Sequence, residues 1–168
     1  MFAGYLPGTL TGGITSGVIL TLLYLLAHGD REIRLKEIFI IFLFTLYLSA
    51  VLHRTIFIRR FNKRLGVRLD VLLTLSTVRG VTNAALNILM MMPWGALVPV
   101  LWRRCRKWYV VFLSGLGASL IIESLQLYLN CGQWDLTDLI CNSLGALLGY
   151  LCLLAYRNYR GKMKKVKK

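Results

Sequence analysis

Four polar side chains inside one apolar segment, Ser119, Glu123, Gln126 and Asn130, follow offsets of four, three and four, so they project from one face of a helix. The next apolar segment repeats the pattern with Asp138, Asn142, Gly145 and Gly149, and Asp135 stands just before them. Upstream, Asn83 and Asn87 share a face, followed by Pro93 and Pro99, which remove backbone donors and predict a kink. Amides and carboxylates in apolar surroundings suit two kinds of chemistry. They can hold a ligand by its hydroxyl, amide or headgroup atoms, or two carboxylates in unlike surroundings can divide general acid and general base roles. A carboxylate at membrane depth is costly unless it is paired, protonated or hydrated. Glu123 lies one or two turns deeper than Gln126, Asp135 and Asp138, and is therefore the costliest of the set. The plainer alternative for each amide is interhelical hydrogen bonding, at about 0.6 to 2 kcal/mol apiece, and for Glu123 a buried brace to an arginine.

The elements that position these groups follow from composition. Hydrophobic residues make up 57% of the 168 residues and only 17% are charged, with a mean hydropathy of +0.61. That balance predicts an all-α, polytopic transmembrane helical bundle. Apolar windows at about 8–28, 37–53, 81–101, 108–129 and 136–156 give about five spans. The first lacks the basic flank of a cleavable signal and is expected to remain in the mature protein. Residues 1–35 thus read as an extra N-terminal span and 36–168 as a core of about four spans with a basic tail. Between the second and third spans the only apolar piece, Leu69 to Val78, is too short to cross, so this basic segment is interfacial or re-entrant.

Orientation follows from the 21 Lys and Arg residues. Three lie in the first loop, seven in the second (Arg54 to Arg79), four in the third (Arg103 to Lys107) and seven in the tail (Arg157 to Lys168). A cytoplasmic C-terminal tail and an outside N-terminus put the first loop, the third loop and the tail inside. The second loop is then a positive exception facing out, which suits an anionic envelope precursor or lipid headgroups. The tail is expected against the anionic inner leaflet, and nucleic acid is a poor alternative.

The last two spans are joined by a short turn and carry small residues, Gly145 and Gly149 on one, Ser114, Gly115, Ala118 and Ser119 on the other. They are expected to pack tightly as a hairpin in which the Glu123 and Asp138 faces meet. Cys105, Cys131, Cys141 and Cys152 show no metal or disulfide spacing, and His28 and His53 stand apart, so neither a metal nor a cofactor is expected.

Three stretches in order resemble the VanZ-like membrane proteins. They are Asn83-Ala-Ala-Leu-Asn87 with Met91-Met-Pro93-Trp-Gly95, then Ser119-Leu-Ile-Ile-Glu123-Ser-Leu-Gln126, then Asp135-Leu-Thr-Asp138-Leu-Ile-Cys-Asn142-Ser-Leu-Gly145 with Gly149. The resemblance covers about Asn83 to Tyr156. It implies an envelope protein of the bacterial plasma membrane, associated with lowered susceptibility to teicoplanin and related lipoglycopeptides. Two departures stand out. Family members usually carry an Arg shortly before the aspartates, where this chain reads Cys131-Gly-Gln133-Trp134, so the basic second loop becomes a possible donor. The Pro-Phe before the third span is also missing.

The leading expectation is a non-enzymatic protein binding an envelope lipid, a cell-wall precursor or a lipoglycopeptide in an outward-opening cleft. Asn83, Asn87, Ser119, Glu123, Gln126, Asp135, Asp138 and Asn142 would line it. The alternative is an intramembrane enzyme acting on an envelope lipid or glycan, with Glu123 as acid and Asp138 or Asp135 as base, or with a hard cation held by those carboxylates. A proton-coupled transporter or lipid translocator is the third reading, weakened by the short chain and the lack of an inverted repeat.

Overall fold

The computed structural model describes residues 35–57 and 66–166, together with helical residues 14, 15, 17–19, 21–23 and 26. The expected first span, at about 8–28, therefore falls largely outside the described residues, as do residues 58–65 of the basic loop. Around Gly17 the described part lies against the next helix, where the Thr45 hydroxyl reaches the Gly17 carbonyl at 3.5 Å.

Helix α1 (Leu35–Leu52) ends in a π-helical turn (His53–Phe57). A two-residue strand β1 (Val67–Arg68) and a short helix α2 (Val71–Leu75) lead into α3 (Val78–Leu101), which Thr77 caps by accepting from the Gly80 N–H. A basic 3₁₀ turn (Arg103–Arg106) joins α3 to α4 (Trp108–Tyr128). Strand β2 (Trp134–Asp135) pairs in parallel with β1, Val67 opposite Trp134 and Arg68 opposite Asp135, and α5 (Leu136–Val166) closes the chain.

The fold is all-α, and among the described residues four helices are long and apolar enough to cross a membrane: Leu35–Ile56, Val78–Leu101, Trp108–Tyr128 and Leu136–Lys165. Large apolar side chains such as Leu89, Leu113, Ile121 and Leu148 are exposed along them. A water-soluble bundle would bury that surface, whereas hydrocarbon solvates it. Between the spans, Leu69 and Leu73 are exposed, and Leu72 and Val78 reach 86% and 87% exposure. Helix α5 has 31 residues and rises about 46 Å at 1.5 Å per residue. It overshoots a hydrocarbon layer of about 30 Å, and its basic end continues as helix instead of a loose tail.

Helix α5 is the centre of the bundle and packs most extensively on α3. The expected hairpin of α4 and α5 forms, but its glycine face turns elsewhere. Gly145 and Gly149 meet the backbone of α3 at Ile88 and Met92, not the small face of α4. Gly95 answers from α3, its α-carbon set against the Ala146 carbonyl, and the α4 face supplies Gly115 against the Ala146 methyl. Glycine spacing marks a close-approach face but does not say which neighbour takes it. Helix α3 also runs on through Pro93 and Pro99. In the turn before Pro93, Tyr47 of α1 donates its hydroxyl to the Met90 carbonyl at 2.9 Å.

Aromatic groups and one hydroxyl secure the opposite end. Phe44 sits between Trp94 and Trp102, Trp94 donates to the Ser114 hydroxyl at 3.1 Å, and Tyr150 donates to the Arg106 carbonyl at 2.6 Å. The α3–α4 turn is thereby fixed to the middle of α5. Any side chain at position 149 would overlap the Met92 carbonyl, so Gly149→Val is expected to cost about 1 to 3 kcal/mol. A lowered melting temperature in detergent, or failure to accumulate in the membrane, would show it. Gly117→Val, where an added carbon meets open space, is the matched control.

Candidate functional site

The site is organised where α4 ends and α5 begins. Helix α4 stops on Asn130, whose φ of 54° is left-handed. The Asn130 N–H returns to the Leu127 carbonyl and the Cys131 N–H to the Gln126 carbonyl, a Schellman closure made with Asn where Gly is usual. Asn130 thus ends the polar series as a backbone device. The chain reverses at once, Cys131 is fully buried, and the Trp134 N–H donates to the Gly66 carbonyl at 3.1 Å, extending the β1–β2 pairing.

Asp135 then joins three parts of the molecule. Its Oδ1 accepts the Thr137 N–H at 2.9 Å and so caps α5. Its Oδ2 lies 3.7 Å from the Arg68 guanidinium, and its backbone N–H donates to Glu123 Oε2 at 3.2 Å. The Arg68 guanidinium also donates to Gln133 Oε1 at 3.1 Å. An arginine beside Asp135 therefore comes from the second loop, opposite Asp135 in the parallel ladder. The basic composition of that loop hinted at a donor, but a register between residues 67 positions apart in sequence leaves no local signal.

The eight expected ligand residues divide into two groups. Asn83, Asn87, Asp135 and Asp138 line one open cleft of about 1390 Å³, bounded by α1, the β1–α2 segment, α3 and the start of α5. Asn87 donates to Asp138 Oδ1 at 2.6 Å, a hydrogen bond to a carboxylate that fixes both side chains at the cleft wall. Ser119, Glu123, Gln126 and Asn142 are absent from that lining and are each at most 2% exposed. Their contacts are internal. Asn142 donates to the Ser119 hydroxyl at 2.8 Å, Gln126 donates to the Thr55 carbonyl at 3.1 Å, and Glu123 receives the Asp135 N–H. A helical wheel places all eight on converging faces, but only packing separates those that meet a neighbouring helix from those that meet open space.

Sequence reasoning left Thr74, Thr77 and Gln133 out of the ligand set and named Arg54, Arg68 and Arg79 only as part of a basic loop suited to an anion, and all six line the same cleft. No group of three or more His, Cys, Asp or Glu side chains able to hold a metal occurs among the described residues.

With the geometry in place, the sequence matches the VanZ/LLP1 family over residues 14–157, most of the chain. No curated protein and no solved structure matches it.

Arg68 is half exposed, so its pair with Asp135 contributes about 0.2 to 1 kcal/mol. Arg68→Gln is expected to lower the melting temperature slightly. Adding Gln133→Arg, which returns an arginine to the turn on the same strand face as Asp135, should restore it. Glu123→Leu removes the acceptor of a buried backbone N–H and should cost about 1 to 3 kcal/mol, while Glu123→Gln keeps an acceptor oxygen and should cost less. Thermal unfolding of the four variants in one detergent checks both orderings.

Proposed function

The chain belongs to the VanZ/LLP1 family, a multi-helix membrane protein on its own apolar spans, and from that premise we propose that its cleft binds an envelope lipid, a cell-wall precursor or a lipoglycopeptide. Binding there lowers teicoplanin-type susceptibility by keeping drug and target apart at the cell surface. The observation that carries the reading is the convergence of Asn83, Asn87, Asp135 and Asp138 on one open cleft in otherwise apolar helices. Amides and carboxylates at that position hydrogen-bond the hydroxyl and amide groups such ligands present. Asp138 is pre-positioned for this by Asn87, and Asp135 by the helix it caps and the arginine beside it.

The protein acts in the bacterial plasma membrane with its cleft outward. The strongly basic α3–α4 turn, held at Tyr150 in the middle of α5, and the basic end of α5 both lie away from the cleft, which suits the cytoplasmic side. Binding requires no bond to be made or broken. Glu123, the strongest candidate for acid catalysis, stands outside the cleft lining and holds the Asp135 N–H.

The test is the teicoplanin and vancomycin susceptibility of a sensitive Gram-positive host expressing the native chain, Asp138→Asn or Asn83→Leu, with membrane levels matched. Protection selective for the acylated drug, lost in both variants, is the expected outcome. Full protection from both variants would sink the cleft reading.

A further inference from the structure

The cleft changes chemical character along its length. At its mouth three guanidinium groups arrive from separate elements, Arg54 from the π-helical turn after α1, Arg68 from β1 and Arg79 from the first turn of α3. At its far end it is lined by Tyr47 and Ala50 of α1 and by Leu89, Met90 and Pro93 of α3. Arg79 and Pro93 are fourteen residues apart on one continuous helix, a rise of about 21 Å. In a hydrocarbon layer of about 30 Å, the cleft runs from headgroup level to beyond the midplane.

The charges at the mouth do not cancel. Arg68 is engaged by Asp135 and Gln133, and Asp138 by Asn87. Arg54 and Arg79 are exposed and form no ion pair among the described residues. Guanidinium groups match phosphate in a bidentate fork, and more strongly where water is partly excluded. The exposed Leu86 and Leu89 on the cleft's α3 side leave a lateral way out to the bilayer.

We propose that the ligand of this cleft is an anionic phospholipid, one whose phosphate is not balanced by a cationic headgroup, its phosphate on Arg54 and Arg79 and its hydrocarbon chain descending between α1 and α3 over Leu89, Met90 and Pro93. This narrows the binding role above to one ligand class and rests on it. A water-soluble phosphate would leave the apolar end unfilled, and a lipid without net negative charge would leave Arg54 and Arg79 with no counter-ion among the described residues. The arginine-rich mouth and the apolar depth are separate features of the sequence, and the folded chain joins them in one groove.

The experiment uses the full chain in phosphatidylcholine nanodiscs doped with a phosphatidic acid carrying a photoactivatable diazirine in its acyl chain. Crosslinks should concentrate around Tyr47, Leu89 and Met90. Unlabelled phosphatidic acid should suppress them, and extra phosphatidylcholine or equimolar inorganic phosphate should not. Arg54→Gln with Arg79→Gln alters only exposed side chains and should fold normally, yet it should reduce those crosslinks about tenfold or more, as expected for lost hydrogen bonds to a charged group. Leu89→Trp, which fills the apolar end, should reduce them with the arginines intact. Crosslinks spread evenly over all lipid-facing helices, or equal competition by inorganic phosphate, overturn the proposal. If the double arginine variant crosslinks like the native chain while Asp138→Asn still loses drug protection, the lipid assignment falls and the cleft reading stands. If Asp138→Asn keeps protection as well, both fall.

Discussion

Asp135 sits where one helix ends, another begins and a distant loop returns, and its two carboxylate oxygens and its N–H each hold one of those parts. The carboxylate caps α5 and faces Arg68, while the backbone N–H is held by the buried Glu123 of α4. Removing a membrane-buried carboxylate from water is costly, and the cost is bearable only where a donor is fixed in place to meet it. Here the donor is a main-chain N–H at the start of a helix, which cannot be relocated without moving α5 itself. The position of Asp138, one turn further along α5, follows from that fixture, and so does the wall of the cleft.

The cleft exists because the helices pack unequally. Glycines at 95, 145 and 149 bring the backbones of α3 and α5 into direct contact, and no side chain fits between them. Helix α1 has no such face and meets α3 through long side chains, Tyr47 and Phe44 among them. One tight crossing beside one loose crossing leaves a groove, which the β1–α2 segment roofs at one end. Dispersion forces reward the first arrangement, and the space left by the second is available to a ligand.

The polar groups divide by depth of packing instead of by residue type. Asn142 donates to Ser119, and Gln126 to a backbone carbonyl, inside the bundle, as amides commonly do between membrane helices. Asn83 and Asn87 of α3, Asp135 before α5, and Asp138, which shares its helical face with Asn142, line the open cleft instead. The same chemistry thus braces the fold in one place and lines an open cleft in another.

Sequence alone determined the spans, because hydrocarbon tolerates only continuous apolar helices of a fixed minimum length, and four of the expected windows match described helices to within a few residues at their starts. It also determined that Ser119, Glu123 and Gln126 share a face, since helical periodicity is a local property, and the order of its polar motifs was enough to suggest the family. Tertiary structure decided the rest. The glycine face of α5 went to α3, Asn130 became a helix cap, Glu123 turned to a main-chain N–H, and Arg68 came to lie beside Asp135. Each of these depends on which surfaces meet across many residues of chain. A sequence specifies such meetings only through the summed packing of the whole bundle, which no local spacing encodes.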